Sequence, residues 1–291
     1  SAAMPRERAG QDYIQVRVAD DQELWLKECL LNRALQHLPP SARYVAFVDP
    51  DVQFSRPDWV SETLHALQTF HVVQMFSTVV ELSPTYQPHQ MHRGFAFSHA
   101  QYSRMGGEFA PTDRRRGPYG GGGHGRPGTE WHTGYAWAWR RSALDAVGGL
   151  IDFAVLGAGD RHMACSLFGR ARESFPPGLH PRYVERVLRW QRLAKAGVNG
   201  NVGYIDGTLL HFWHGRKVNR RYADRWKILV KHQFDPDSDL RRDWQGVYAL
   251  DAGKPALRDD IRRYFRSRHE DSIDMPEEDD RMLGPGPGFG P

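Results

Sequence analysis

Asp49-Pro50-Asp51 sets two carboxylates one residue apart, directly after the apolar run Tyr44-Val45-Ala46-Phe47-Val48. The acids therefore end an expected buried strand, the place where open α/β sheets hold their ligands. Two carboxylates so spaced can face one hard cation. That cation can bridge the oxygens of a diphosphate and offset the charge that builds on a leaving nucleotide. The plainer alternative is a turn, since Asp and Pro both favour turns.

A second constellation is His211-Phe212-Trp213-His214-Gly215-Arg216-Lys217. Imidazole ligates divalent transition ions such as manganese. Glycine lets backbone approach a phosphate closely, and Arg216 and Lys217 are natural phosphate clamps. Either His211 or His214 can be the third metal ligand, and His211 is favoured because it ends a strand. The alternative is an aromatic–histidine turn with solvated cations. The third constellation is Gly157-Ala158-Gly159-Asp160, glycines that hold a carboxylate at a helix start. Asp160 there is either a general base for an acceptor hydroxyl or a helix cap. In Trp131-His132-Thr133-Gly134-Tyr135-Ala136-Trp137-Ala138-Trp139, half of the positions must face inward. Trp137 can stack on a sugar and His132 can hydrogen-bond one.

The elements that position these groups follow from periodicity. Tyr13 to Val18 alternate as a strand, and residues 22–38 carry Leu24, Leu31, Leu35 and Leu38 at helical spacing until Pro39-Pro40. The run 44–48 predicts a strand buried on both faces. Pro57 opens a helix with Val60, Leu64 and Leu67 inward, and residues 72–82 predict one strand. Residues 131–150 read as a strand and a helix stopped by Gly148-Gly149. Further helices are expected near Asp160 and over about 182–196, 222–232 and 256–268, with a strand leading to His211. Alternation of strands and helices predicts a wound, mainly parallel α/β sheet.

With 291 residues, 40% hydrophobic and 25% charged, the chain is long enough for one large domain. Its net charge of +4 suits a phosphate-bearing ligand. Two cysteines, Cys29 and Cys165, fall in expected buried helices, so a disulfide framework is not expected and the cytoplasm is the expected compartment. No apolar run reaches the roughly 20 residues of a membrane span. Residues 1–12, with Ser1-Ala2-Ala3 read as a cloning remnant, are expected to be disordered. So is the acidic, then Gly/Pro-rich tail 273–291. Residues 13–272 form the expected single domain, interrupted by a Gly/Arg-rich mobile loop over 105–129.

The order of these motifs resembles that of GT-A glycosyltransferases, especially the large family-2-like group. Stretches such as YVAFVDPDVQFSRPDWV, GYAWAWRRSALDAVGGL and HFWHGRKVNRRYADRWKILVKHQFDP are similar to bacterial and phage proteins described only as glycosyltransferases. The resemblance implies that Asp49 and Asp51 contact the donor ribose and the metal. It implies that His211 or His214 completes the metal site and that Asp160 is the base of an inverting transfer. It further implies Mn2+ or Mg2+ as cofactor and a nucleotide-diphosphate sugar, most often a UDP-sugar, as donor. The acceptor hydroxyl, on a glycan or on modified DNA, is left open. Gly159 departs from the group, where many members carry Glu before the acid. Only 48 residues precede Asp49, so the usual first strand–helix unit is expected to be missing and binding of the nucleotide base weakened.

Two other readings fit the same residues. A nucleotidyltransferase also uses paired carboxylates but makes products that keep the nucleotide. A phosphate- or nucleic-acid-binding module on a degraded transferase fold would use the arginine clusters Arg114-Arg115-Arg116, Arg220-Arg221 and Arg241-Arg242 and would bind with steep salt dependence. A glycosyltransferase acting on modified bases of phage DNA joins the two ideas.

Overall fold

A computed structural model describes residues 15–19, 22–104, 131–215 and 217–268, the side chains of 217 and 218 excepted. The expectations for 1–12, for the loop 105–129 and for 273–291 lie outside the described residues. In chain order the elements are α1 (Lys27–Leu35), β1 (Tyr44–Val48), β2 (Val52–Phe54), α2 (Trp59–Ala66), β3 (Val72–Gln74), β4 (Thr78–Leu82), β5 (Pro88–Gly94) and α3 (Phe95–Arg104). After these come β6 (Trp131–His132), β7 (Ala136–Arg140), α4 (Arg141–Ala146), α5 (Gly159–Leu167) and α6 (Pro181–Gly197). The last are β8 (Val202–Tyr204), β9 (Thr208–His211), α7 (Asp224–Lys231), β10 (Leu240–Arg242), β11 (Tyr248–Leu250) and α8 (Pro255–Arg266).

The protein is mixed α/β. One sheet has the order β1-β7-β3-β8, another β2-β9-β4-β5-β6, and β10 pairs with β11. Four times the chain passes between the first two sheets by a direct three-residue link, at 49–51, 75–77, 133–135 and 205–207, and once, from β2 to β3, by way of α2. Apolar runs that read as single strands, 72–82 and 202–211, are each cut by such a crossing. β3 and β8 pair in parallel, and so do their continuations β4 and β9. At these bends Ser77 Oγ donates to Asp206 Oδ1 (2.7 Å) and accepts from the Gly207 amide (3.1 Å). Buried polar groups of a crossing need such partners.

The mainly parallel sheet does not form. Within the two larger sheets four pairings are antiparallel and three are parallel. A short connection enforces one of the antiparallel pairings, β4 with β5, because a parallel return needs a crossover of a dozen or more residues. The β4–β5 link spans only 83–87, where Ser83 Oγ accepts from the Thr85 and Gln87 amides. β5 and α3 carry no strong sequence signal and were not anticipated. β1 is an edge strand with Ala46 and Val48 exposed, so its apolar run does not mark burial on both faces. Residues 15–19 form no strand; Gln245 takes their backbone groups instead, accepting from the Arg17 amide and donating to its carbonyl. α1 begins at Lys27 rather than 22, since the Trp25 amide donates to Val155 O. In α2, Val60 and Leu64 are exposed; Thr63 faces inward, with Leu67 just beyond the helix.

The main core lies where α4, α5, α6, α7 and α8 meet, around Leu144, Tyr183, Val187, Leu229, Leu257 and Ile261. Leu257, Ile261 and Tyr264 recur at helical spacing on α8. Fully burying a side chain of this kind contributes about 1.5–3 kcal/mol. α6 starts with Pro181 at its first turn and is capped by His180, whose ring accepts from the Arg182 amide (3.3 Å). Cys29 and Cys165 are both buried and free. No helix among the described residues is long and apolar enough to cross a membrane.

Candidate metal centre

The crossing from β1 to β2 carries Asp49-Pro50-Asp51. β2 pairs antiparallel with β9, with Val52 opposite His211. Asp51 therefore faces the end of β9, and the Phe212 amide donates to its carbonyl (2.9 Å). Gly215, at φ 91, permits a tight bend after His214. The two rings stand edge to face, with Nε2 of His211 and Nε2 of His214 3.1 Å apart. Asp51 Oδ2 lies 3.4 Å from the first and 3.3 Å from the second.

This triangle fits a cation. With metal–ligand bonds of about 2.1 Å, neighbouring donors are about 3.0 Å apart in an octahedron and about 3.4 Å in a tetrahedron. Asp51 Oδ1 adds an independent sign, because it is buried and finds no hydrogen-bond partner among the described residues. A buried carboxylate oxygen without a partner is costly unless something positive meets it. Asp51, His211 and His214 are the described group whose donor atoms converge in this way.

The ionisation states agree with ligation. Burial raises the Asp51 carboxyl, but the His211 hydrogen bond and the charges of His211 and His214 hold it below the usual range. His214 is pushed down to about 4 by burial, by Arg220 and by His211. Its ring is neutral at neutral pH, which is the ligating form.

Asp49 is not in the group. Its carboxylate is paired with the Lys27 ammonium, and its amide donates to Tyr135 O (2.8 Å). The expected pair of metal-binding aspartates is thus divided: Asp51 joins the histidines, and Asp49 joins α1. Burial pushes the Asp49 carboxyl up, against the pull of Lys27. Burial lowers Lys27, but Asp49, Glu28 and Asp160 together raise it. The Lys27 ammonium, held charged by Asp49 and Asp160, keeps the pair ionised.

Asp160 lies in the first turn of α5, but it is not the cap. That position belongs to Ala158, left-handed at φ 85. Asp160 Oδ2 instead accepts from the Thr133 hydroxyl (2.9 Å), so it is held by the crossing between β6 and β7. Burial raises its carboxyl, yet His132, Lys27 and the Thr133 hydrogen bond bring it below the usual value. Asp160 interacts electrostatically with both Asp49 and Lys27. The structure therefore brings Asp49, Asp51, Asp160, His211 and His214 to one region at the sheet crossings.

No family model, curated protein or solved structure matches the chain.

His132 stacks on Tyr135 (centroids 3.9 Å apart) while its Nδ1 accepts from the Gly134 amide. Trp137 is half-buried. Its indole N–H donates to Thr133 O (2.8 Å) and its ring packs on the cores around Phe95 and Trp139. Arg216 lies outside the described residues, as does the side chain of Lys217.

Several groups were not anticipated. Lys27 and Glu28 open α1, and ordinary charges on a helix carry no local signal. Glu28 is buried, accepts from Trp25 Nε1 (3.0 Å) and is pushed up to about 7, chiefly by burial. A Cβ on Gly159 would stand 3.0 Å from its Cδ, which gives a physical reason for glycine there. Beneath the histidines, Tyr135 takes a left-handed φ of 74 that costs a non-glycine residue about 1–3 kcal/mol. Its hydroxyl donates to Glu81 Oε1 (3.2 Å), which also meets His92 Nε2 (3.0 Å), and its ring lies 4.6 Å from that of His211. Arg220 is buried near His214, and its Nε has no hydrogen-bond partner among the described residues.

Proposed function

We propose that the chain is a metal-dependent glycosyltransferase that moves a sugar from a nucleotide-diphosphate donor to an acceptor hydroxyl. The observation that carries this reading is the triangle of Asp51, His211 and His214 with edges of 3.1–3.4 Å. The mixed α/β fold, with acids at a sheet crossing, supports assignment to the GT-A type. The reading takes Mn2+ as the cation, with Mg2+ the alternative; two imidazoles and one carboxylate suit a divalent transition ion.

Asp51, His211 and His214 would hold the cation, which would supply positive charge to offset that of the diphosphate. Asp49, held by Lys27, is left to accept hydrogen bonds from sugar hydroxyls of the donor. Arg220 and the segment Arg216-Lys217 offer cations to the phosphates. Asp160 takes the proton of the acceptor hydroxyl as that oxygen bonds to the anomeric carbon and the bond to the diphosphate breaks. Its depressed pKa keeps it ionised at neutral pH, as a base must be. Attack from the side of Asp160, opposite the leaving group, would invert the anomeric centre.

The experiment is a screen of nucleotide sugars, UDP-sugars first, with Mn2+ present, over glycan acceptors and hydroxymethylated DNA. Release of nucleoside diphosphate dependent on Asp51 and Asp160 is the expected result. Products that retain the nucleotide would identify a nucleotidyltransferase instead.

A further inference from the structure

The division of the two aspartates has a chemical consequence. Asp49 and Asp51 are one residue apart, and each feels the charge of the other. Left to themselves, both carboxylates could turn to one cation. The Asp49 carboxylate is instead taken by the Lys27 ammonium. Lys27 is not a loosely tethered surface side chain. It is the first residue of α1, and the next two, Glu28 and Cys29, are buried. Glu28 is fixed by Trp25 and by the close approach of Gly159. The same ammonium faces Asp160.

We propose that Lys27 sets the cation preference of the centre. By holding Asp49 it keeps the ligand set at one carboxylate and two imidazoles. This inference rests on the metal centre of the proposed function. Such a nitrogen-rich set favours a transition ion, whereas Mg2+ prefers oxygen ligands. Freeing Asp49 adds a second carboxylate and moves the centre toward Mg2+. Lys27 thus acts as a specificity-determining residue without touching the ion.

The test measures ions rather than turnover. Mn2+ binding to the full chain is followed by the electron paramagnetic resonance of free Mn2+, and Mg2+ affinity by displacement of bound Mn2+. The quantity compared is the ratio of the two affinities, because losing a positive charge raises affinity for both ions alike. Lys27→Met is expected to shift the ratio toward Mg2+ by roughly tenfold, the lower end of what neighbouring groups do to metal sites. The double variant Lys27→Met/Asp49→Asn is expected to return the ratio to that of the wild type. Lys27→Arg, which keeps the ion pair, is expected to leave it unchanged. Thermal melting checks that each variant is folded, and Lys27→Gln replaces Lys27→Met should the latter fail. An unchanged ratio in the neutral variant, or the same shift with Asp49 removed, overturns the role of Lys27 while leaving the centre intact. A wild-type chain that binds no Mn2+ overturns the centre and this inference together.

Discussion

Replacing Glu28 with Gln tests how the start of α1 is packed against α5. Glu28 is buried at the start of α1, against the first turn of α5, and keeps its proton up to about 7. The unfolded chain releases that proton near the ordinary value of 4.5. Between these values the unfolded state loses a proton that the folded state retains. The contribution of Glu28 is therefore fully present below 4.5 and is lost as pH rises to about 7. Two and a half pH units at about 1.36 kcal/mol each amount to roughly 3 kcal/mol. Glutamine keeps an oxygen to accept from Trp25 Nε1 but has no proton to lose. Urea unfolding of both proteins from pH 5 to 8 measures the difference. The stability of Glu28→Gln relative to wild type should climb by about 2.5 kcal/mol across that range, the remainder of the shift lying below pH 5, and level off above 7, with equal m-values. A difference that does not vary with pH would refute the placement of an uncharged carboxyl there.

Other consequences follow from single contacts. Thr133→Val removes a donor to the ionised form of Asp160, so the acid limb of the pH–rate profile should move to higher pH; a limb that stays in place would remove Asp160 from the base role. Gly159→Ala brings a Cβ to 3.0 Å from both Glu28 Cδ and Ile151 O and should cost about 1–3 kcal/mol in denaturant unfolding. His162 is held down to about 3, chiefly by burial, and bonds to Ser174 Oγ (2.7 Å) and Tyr183 OH (2.9 Å). The unfolded chain takes up this proton near 6.5, so stability should fall as pH drops from 6.5 toward 3. His162→Gln should flatten that slope.

Sequence periodicity located most helices, because an inward stripe such as Leu257, Ile261 and Tyr264 is a local property. It failed where structure depends on distant neighbours. Residues 72–82 and 202–211 look like single strands, and nothing local tells that each changes sheet midway. β1 looks buried because its residues are apolar, yet it lies at an edge. The site divides in the same way. Asp51, His211 and His214 were legible because acid after an apolar run and paired histidines near glycine are unusual in type and spacing. The fate of Asp49 was not, since Lys27 reaches it only through the packing of α1. Glu28 likewise gave no sign, because a glutamate on a helix usually faces water. Trp137 belonged to an aromatic stripe that could serve either a core or a sugar, and the Thr133 carbonyl settles its orientation.

Mn2+ binding by the wild-type chain and by Asp51→Asn tests the metal centre most directly. The wild type should bind a single Mn2+, and Asp51→Asn or His214→Ala should abolish that binding while the protein remains folded. Asp49→Asn should keep it. Unchanged Mn2+ affinity in folded Asp51→Asn would contradict the assignment.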